Sequence, residues 1–394
     1  MITATIGRRV AKLALAVPFV LALVAGSAGA DQPPIKVGVV FSFSGAGLYS
    51  KMVDLGIAAF QKMHGDTVAG RKIEIIRRDD AYSADGARRQ AQELVVQDKV
   101  DFLVCCAFTP AALAVMPIST QTKTPLMIIN AATSGIMAAH PYTSRWGFTE
   151  AQTTPPLARW ALKNGVKTAY VLVADYGPGI DAGKSFEETF TAGGGKIVGS
   201  VRVPFTSPDY SSYVLRIKDA HPDAVFVMLS MNGISFLKAF VDTGLAKDTK
   251  LLSVADFVTE NNLPASGDAA IGVLSSYDYS AFHDSKLNRD FVKAFHEADT
   301  SGQLLPDMMA AATYDTMSAI YKVVALQNGT LDPDKTMEII KGMKLDSPRG
   351  PIAIDPVTRD IIQNVYLRKV VKRNGQLINV EFQTDSMVKD PTEH

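Results

Sequence analysis

IKVGVVFSFSGAGLYSKMVDLGIAAFQKM, residues 35–63, is the stretch on which the fold turns. Its first seven residues form a mainly apolar strand, 42–47 is a Ser/Gly turn, and Met52, Leu55, Ala59 and Met63 then recur at helical spacing. A strand apolar on both sides needs cover on both faces, which parallel strands joined by crossover helices supply. The unit repeats downstream as strand 73–78, helix 84–97, strand 102–105, helix 111–121 and strand 126–129, so an α/β fold with a doubly wound parallel sheet is expected.

A second series follows a proline-bearing segment at 153–156, which reads as the cap of a short helix containing Trp160. Its strands fall at 169–174, 197–203, 224–229 and 251–254, again with amphipathic segments between them. Beyond about residue 280 the pattern turns helical, first on Leu287, Phe291 and Phe295 and then on Met309, Met317, Ile320 and Val324. The tail changes once more: 350–354, 361–372 and 377–382 read as antiparallel strands, with Asn374-Gly375 a hairpin signal.

With 394 residues, 47% hydrophobic and 20% charged, the chain is long enough for two cores. Residues 1–30 have the form of a secretory signal, with Arg8, Arg9 and Lys12 as the basic head, an apolar stretch at 13–24 and cleavage expected after Ala30. That stretch contains Pro18 and falls short of the roughly 20 residues that cross a bilayer. No Cys follows the cleavage site to carry a lipid, and no later segment is apolar enough to span, so an exported, periplasmic protein is expected. Removing three of the 40 basic residues leaves 37 against 40 acidic, a balance that does not suit nucleic acid. Cys105 and Cys106 are neighbours, which relaxed disulfide geometry does not accommodate, so two buried thiols are expected and a strained vicinal disulfide is the alternative.

The enzyme readings fail on spacing. Gly177 to Ser185 resembles a phosphate-binding loop, but Pro178 stands where its first glycine belongs. There is no G-x-S-x-G elbow, and the six histidines lie too far apart in the chain to suggest a metal site. No catalytic residue, metal or cofactor is therefore expected. What remains is a set of loops at the carboxyl ends of strands, 42–49, 108–111, 130–134, 175–177 and 256–259, rich in hydroxyls, small residues and aromatics. Open parallel sheets bind small molecules at such loops.

At these loops the sequence resembles the branched-chain amino-acid (Leu/Ile/Val) type of periplasmic binding protein, the type I fold that serves ABC importers. The resemblance is carried in order by IKVGVVFSFSG (35–45), GRKIEIIRRDDAYSADGA (70–87), PLMIINAATS (125–134), ADYGPG (174–179) and ATYDTMSAI (312–320). It implies two doubly wound lobes joined by three hinge crossings, with 31–148 and 280–350 in the first and 149–279 and 351–394 in the second. It also implies a monomer that takes a small molecule, an amino acid or related carboxylate, in the interlobe cleft and hands it to a membrane permease and its ATPase. An aromatic carboxylate, an amide or urea is the alternative cargo, and service to a signalling partner the alternative task.

Carried over residue by residue, the family's carboxylate grip falls on Ala131, Ala132 and Thr133, with Thr133 the leading contact and a helix-capping threonine its plainer reading. Tyr49 falls at an aromatic wall and Tyr176 at the second lobe's tyrosine, each also readable as lobe packing. Asp256 matches the acid that pairs with a ligand ammonium, and Met309 lies near the side-chain pocket. Where relatives often have Ser, this chain reads Phe108-Thr109-Pro110-Ala111, so the grip is expected to be rebuilt around Thr109 or Ala111 beside Pro110. Phe108, Tyr82 and Phe257 near the cleft suit a flat ring, which weighs against an aliphatic amino acid.

Overall fold

The apolar runs become two sheets. The computed structural model describes residues 1–5, 32–44, 47–205, 209–229, 233–254 and 256–392; the expected leader, its first five residues apart, lies outside them. Sheet one holds β1 (Ile35–Phe41), β2 (Thr67–Val68), β3 (Arg71–Asp79), β4 (Phe102–Cys105), β5 (Leu126–Ile128) and β6 (Thr143–Arg145), in the order β2-β3-β1-β4-β5-β6. Only β2 is antiparallel, and helices α1 (Gly47–His64), α2 (Ala84–Glu93) and α3 (Thr109–Thr122) make the crossovers.

Sheet two begins after α4 (Glu150–Lys163) and holds β7 (Thr168–Ala174), β8 (Lys196–Val203), β9 (Ala224–Met228), β10 (Lys250–Val254) and β11 (Leu274–Tyr277) in parallel, in the order β8-β7-β9-β10-β11. Between them run α5 (Gly177–Ala192), α6 (Ser211–Ala220), α7 (Gly233–Asp242) and the single turn α8 (Leu263–Ser266). The chain then returns to sheet one as α9 (Lys286–Ala298), α10 (Met308–Leu326) and α11 (Pro333–Ile340), where α9 and α10 lie on α1. A Cβ on Gly56 of α1 would come within 2.8 Å of the Ala310 carbonyl, so glycine is what lets α1 and α10 pack this closely. Finally β12 (Lys344–Ser347), β13 (Gly350–Ile354), β14 (Ile361–Arg373) and β15 (Gln376–Val388) extend sheet two as an antiparallel meander, β14 pairing with β11. Asn374 and Gly375 turn between the last two at φ 51° and 82°, the left-handed pair that a tight hairpin requires. Residues from Pro33 onward form one compact unit.

Three expectations are corrected. The prolines at 155 and 156 do not cap a helix but lie inside α4, which starts at Glu150 with the Thr149 hydroxyl accepting from the Gln152 N–H. Burial of the whole face from Glu150 to Ala158 holds the helix together through its prolines. The strands β6 and β11 were not read, because Thr-Ser-Arg and Leu-Ser-Ser-Tyr carry no apolar run. Cys105 and Cys106 are not free thiols: they are bonded to each other. This is the vicinal disulfide that stood as the alternative; the peptide between them is cis and their Cα atoms stand 3.2 Å apart.

The chain crosses between the sheets after β6, after β11 and before β12, and one side chain joins the three passages. Arg349, in the turn between β12 and β13, is wholly buried. Its guanidinium donates to Asp278 Oδ2 at 2.5 Å, to Asp315 Oδ2 on α10 at 2.9 Å and to the Gly147 carbonyl at 3.3 Å, and also to the Trp146 carbonyl. Removing one member of a buried ion network leaves the others charged and unpaired, at a cost of about 3–5 kcal/mol. Arg349→Met is therefore expected to lower unfolding free energy in urea by that order, whereas Lys286→Ala at the exposed Lys286–Asp290 pair leaves the midpoint where it was. A loss at Arg349 no larger than at Lys286 contradicts the assignment.

Candidate functional site

Both sheets share one strand order, in which the first strand's neighbours lead in opposite directions. Their switch points lie between β1 and β4 and between β7 and β9, and the loops leaving these strands face each other across a narrow slot. From the sheet-one side come Tyr49 at the start of α1, Tyr82 after β3, Ala107 to Thr109 after β4, and Asn130 to Ala132 after β5. From the sheet-two side come Tyr176 and Pro178, Phe205, Met228, Asp256 and Tyr277. Phe148 and Glu150 at the first crossing and Met308 and Met309 at the start of α10 complete the wall. The cavity between these residues has a volume of about 50 Å³, a narrow slot. A groove of about 790 Å³ between Tyr142, the end of α10 and α11 is larger, but it lies at the amino end of β6 and is open to solvent.

Rings make up much of the wall. Tyr82 and Phe108 stack at 4.4 Å, Phe148 and Tyr277 meet edge to face at 5.4 Å, and Tyr176 leans on Phe205 at 4.8 Å. Asn130 Nδ2 donates to the Ala107 carbonyl at 2.8 Å, holding two of the loops in register. Ala131 has φ 65°, a left-handed conformation that costs an alanine of order 1 kcal/mol and is held there by its neighbours. The backbone N–H groups of Ala132 and Thr133 find no backbone acceptor among the described residues, and Thr109 and Ala111 lie in the first turn of α3, where N–H groups have no acceptor within the helix. The wall carries no lysine, arginine or histidine among the described residues.

Three buried acids surround this basic-free space. Asp256 keeps part of its surface open to the slot while protein encloses it, and burial pushes its carboxyl up to about 6. Glu150 has no exposed surface; burial drives its pKa well above the ordinary range, against a weak hydrogen bond from Thr153. Asp307 accepts from the Met309 and Ala310 N–H groups at the start of α10, and burial raises it to about 7, with Asp256 and Glu260 adding repulsion.

The structure puts Tyr49, Thr109, Ala131, Tyr176, Asp256 and Met309 on one wall, together with Tyr82 and Phe108. It keeps three residues off it. Pro110, in the first turn of α3, points to solvent. Phe257 is buried in the sheet-two core under Gly233 and Phe236. Thr133 bonds Thr109 Oγ1 at 3.0 Å and faces Gly177 of α5 at the mouth of the slot. Missed from the sequence were Phe148, Glu150, Phe205, Met228, Tyr277 and Met308. For Glu150 the only signal was an acid one residue past a capping threonine, which reads as ordinary helix-end electrostatics.

Comparison with known proteins agrees with this geometry. A family model described as periplasmic binding protein matches residues 34–376. The Leu/Ile/Val-binding protein homolog 6 of Brucella suis biovar 1 (strain 1330) is 41% identical over 387 residues, 96% of this chain and 98% of the relative. A solute binding protein of an ABC transporter from R. palustris, solved in complex with 4-hydroxybenzoate, is 40% identical with TM-score 0.87, covering 91% of this chain and 99% of that one. Another from Rhodopseudomonas palustris BisB5, in complex with 3,4-dihydroxy benzoic acid, is 43% identical with TM-score 0.86 over the same shares.

The raised acids carry a sign for stability. Asp307 and Asp256 bind protons more tightly folded than unfolded, so their contribution is complete below about pH 4 and is lost as pH rises through 6 and 7. Asparagine caps helices as well as aspartate does but does not titrate. Urea titrations of the unliganded protein are expected to show Asp307→Asn with a flatter decline in stability between pH 5 and 7.5 than wild type; an unchanged or steeper decline refutes the assignment.

Proposed function

The chain belongs to the periplasmic binding protein family and is a substrate-binding protein of the ABC-transporter kind, and from that premise we propose that its cargo is an aromatic carboxylate. The observation that carries this reading is the slot itself, thin, walled by rings on both sides and without a basic residue among those described. A flat ring fills such a space with stacking and edge contacts worth about 0.5–1.5 kcal/mol each beyond the area buried. The hydroxybenzoates bound by relatives at 40% and 43% identity support it.

An anion entering a space without a counter-ion must be held by dipoles. The N–H groups of Thr109 and Ala111, in the first turn of α3, and of Ala132 and Thr133 after β5 supply them, and the Thr109 hydroxyl adds a further donor. Such bonds to a carboxylate are charge-assisted and roughly twice as strong as neutral ones. An α-amino acid fits less well. Its aliphatic side chain would gain none of the stacking and edge contacts that the ring walls offer, although Asp256, raised only to about 6, is available to an ammonium.

Contacts across the mouth then register closure. Ser134 N–H donates to Asp181 on α5 at 2.9 Å, and Asn261 after β10 exchanges hydrogen bonds of 2.8 and 3.1 Å with Leu305 before α10. A ligand that touches loops of both sheets favours the form in which these bonds exist, and that form is what the permease and its ATPase meet on the periplasmic side.

Thermal unfolding separates the cargo classes. At 100 times its dissociation constant a ligand adds about 2.7 kcal/mol. 4-Hydroxybenzoate is expected to raise the melting temperature and leucine to leave it unchanged. Asp256→Asn is expected to keep 4-hydroxybenzoate affinity within about tenfold, since the asparagine loses one hydrogen bond at most. Stabilisation by leucine alone overturns the reading.

A further inference from the structure

Within the slot, Glu150 differs from the other acid on its wall. Asp256 is partly open to the slot and accepts from its own backbone N–H. Glu150 Oε1 is buried with no hydrogen-bond partner, and Oε2 has only the long 3.4 Å bond from Thr153 Oγ1. The side chain is buried yet belongs to the wall of the slot. A buried polar atom left unpaired costs about 1–3 kcal/mol, which a group arriving with the ligand recovers.

The backbone fixes where that group must be. Glu150 N–H donates to the Ala132 carbonyl at 3.1 Å, Thr149 caps the helix, and Glu150 opens α4 beside Phe148, whose ring meets Tyr277. An ionised carboxylate here would repel an anionic ligand, and Asp181 and Asp278 nearby already oppose its ionisation. A protonated carboxyl instead offers one donor and one acceptor, the same pair that a phenolic hydroxyl presents.

Resting on the reading that the slot takes an aromatic acid, we propose that Glu150 contacts the bound ring's hydroxyl and is the residue that selects hydroxylated over unsubstituted benzoates. The ring fits either way; only the hydroxylated one satisfies Oε1. A site with a buried polar group waiting for a hydroxyl rejects the analogue lacking it more strongly than an apolar pocket rejects a change in size.

Calorimetry on the mature full chain tests this with 4-hydroxybenzoate and benzoate at pH 7. Wild type is expected to prefer 4-hydroxybenzoate by about tenfold or more, as one hydrogen bond to a buried group warrants. Glu150→Leu is expected to bring the ratio to within about threefold of unity while benzoate binds as tightly as before or tighter, and Glu150→Gln, which keeps a donor and an acceptor, to retain most of the preference. A leucine variant that weakens both ligands equally, or keeps the preference, overturns the proposal. Should that variant fail to fold, carbon-13 carboxyl NMR of glutamate-labelled wild type decides, with the Glu150 resonance assigned by its loss in Glu150→Gln. That resonance moves with 4-hydroxybenzoate and stays put with benzoate if the contact exists, and responds alike to both if it does not. Failure of wild type to bind either ring is a separate result, which removes the aromatic reading and this proposal with it.

Discussion

A buried guanidinium holds this molecule's two halves in relation. Arg349 reaches the first crossing through carbonyls of Trp146 and Gly147, the second through Asp278, and α10 through Asp315, while sitting on the third passage itself. Tyr366 OH completes the arrangement by donating to the Arg349 carbonyl at 2.7 Å. Replacing such a network by apolar residues is often neutral for stability, so what it adds here is geometry as much as energy. Three irregular passages of chain are tied to one planar group. Because both sheets have the same strand order, passages fixed at this place leave their switch points face to face.

The slot's chemistry follows from that placement. Loops at the carboxyl ends of parallel strands present backbone N–H groups, and α3 adds its first turn, so an anion can be held by dipoles alone. Burial pushes the carboxyls of Glu150, Asp256 and Asp307 up, and no lysine, arginine or histidine on the described wall draws the first two back. On the proposed reading, such a wall offers donors to the negative group of the cargo and the raised carboxyl of Glu150 to its hydroxyl.

How much of this could be read beforehand differs between local and distant features. The β-loop-α repeats and the Asn374-Gly375 hairpin were legible, because periodicity and turn chemistry are properties of consecutive residues. β6 and β11 were not, since their place in a sheet is set by neighbours already paired rather than by their own residues. Tyr49, Tyr176, Asp256 and Met309, which line the slot, could be named only through the family resemblance, since nothing in their own neighbours places them there. Glu150 could not: its local context is a helix start, and only the fold reveals that no partner reaches Oε1. Phe257 shows the converse error, where one residue's step along a loop turns a ring from the slot into the core.

Thr133 brings these scales together. Its position after β5 suggested a direct grip on the ligand, yet its hydroxyl is shared with Thr109 and it stands against the amino end of α5. A Cβ on Gly177 would fall 2.3 Å from Thr133 Oγ1, so the lobes meet here only because residue 177 has no side chain. Ser134 follows at once with its bonds to Asp181 at 2.9 Å and to Asp390 at 2.5 Å. On the proposed reading, the segment whose N–H groups hold the anion is also the segment that meets α5. Binding and contact between the halves would then share one stretch of backbone, and a ligand that ordered that stretch would also prepare the surface the other half must meet, the differential contact that a shift from open to closed requires.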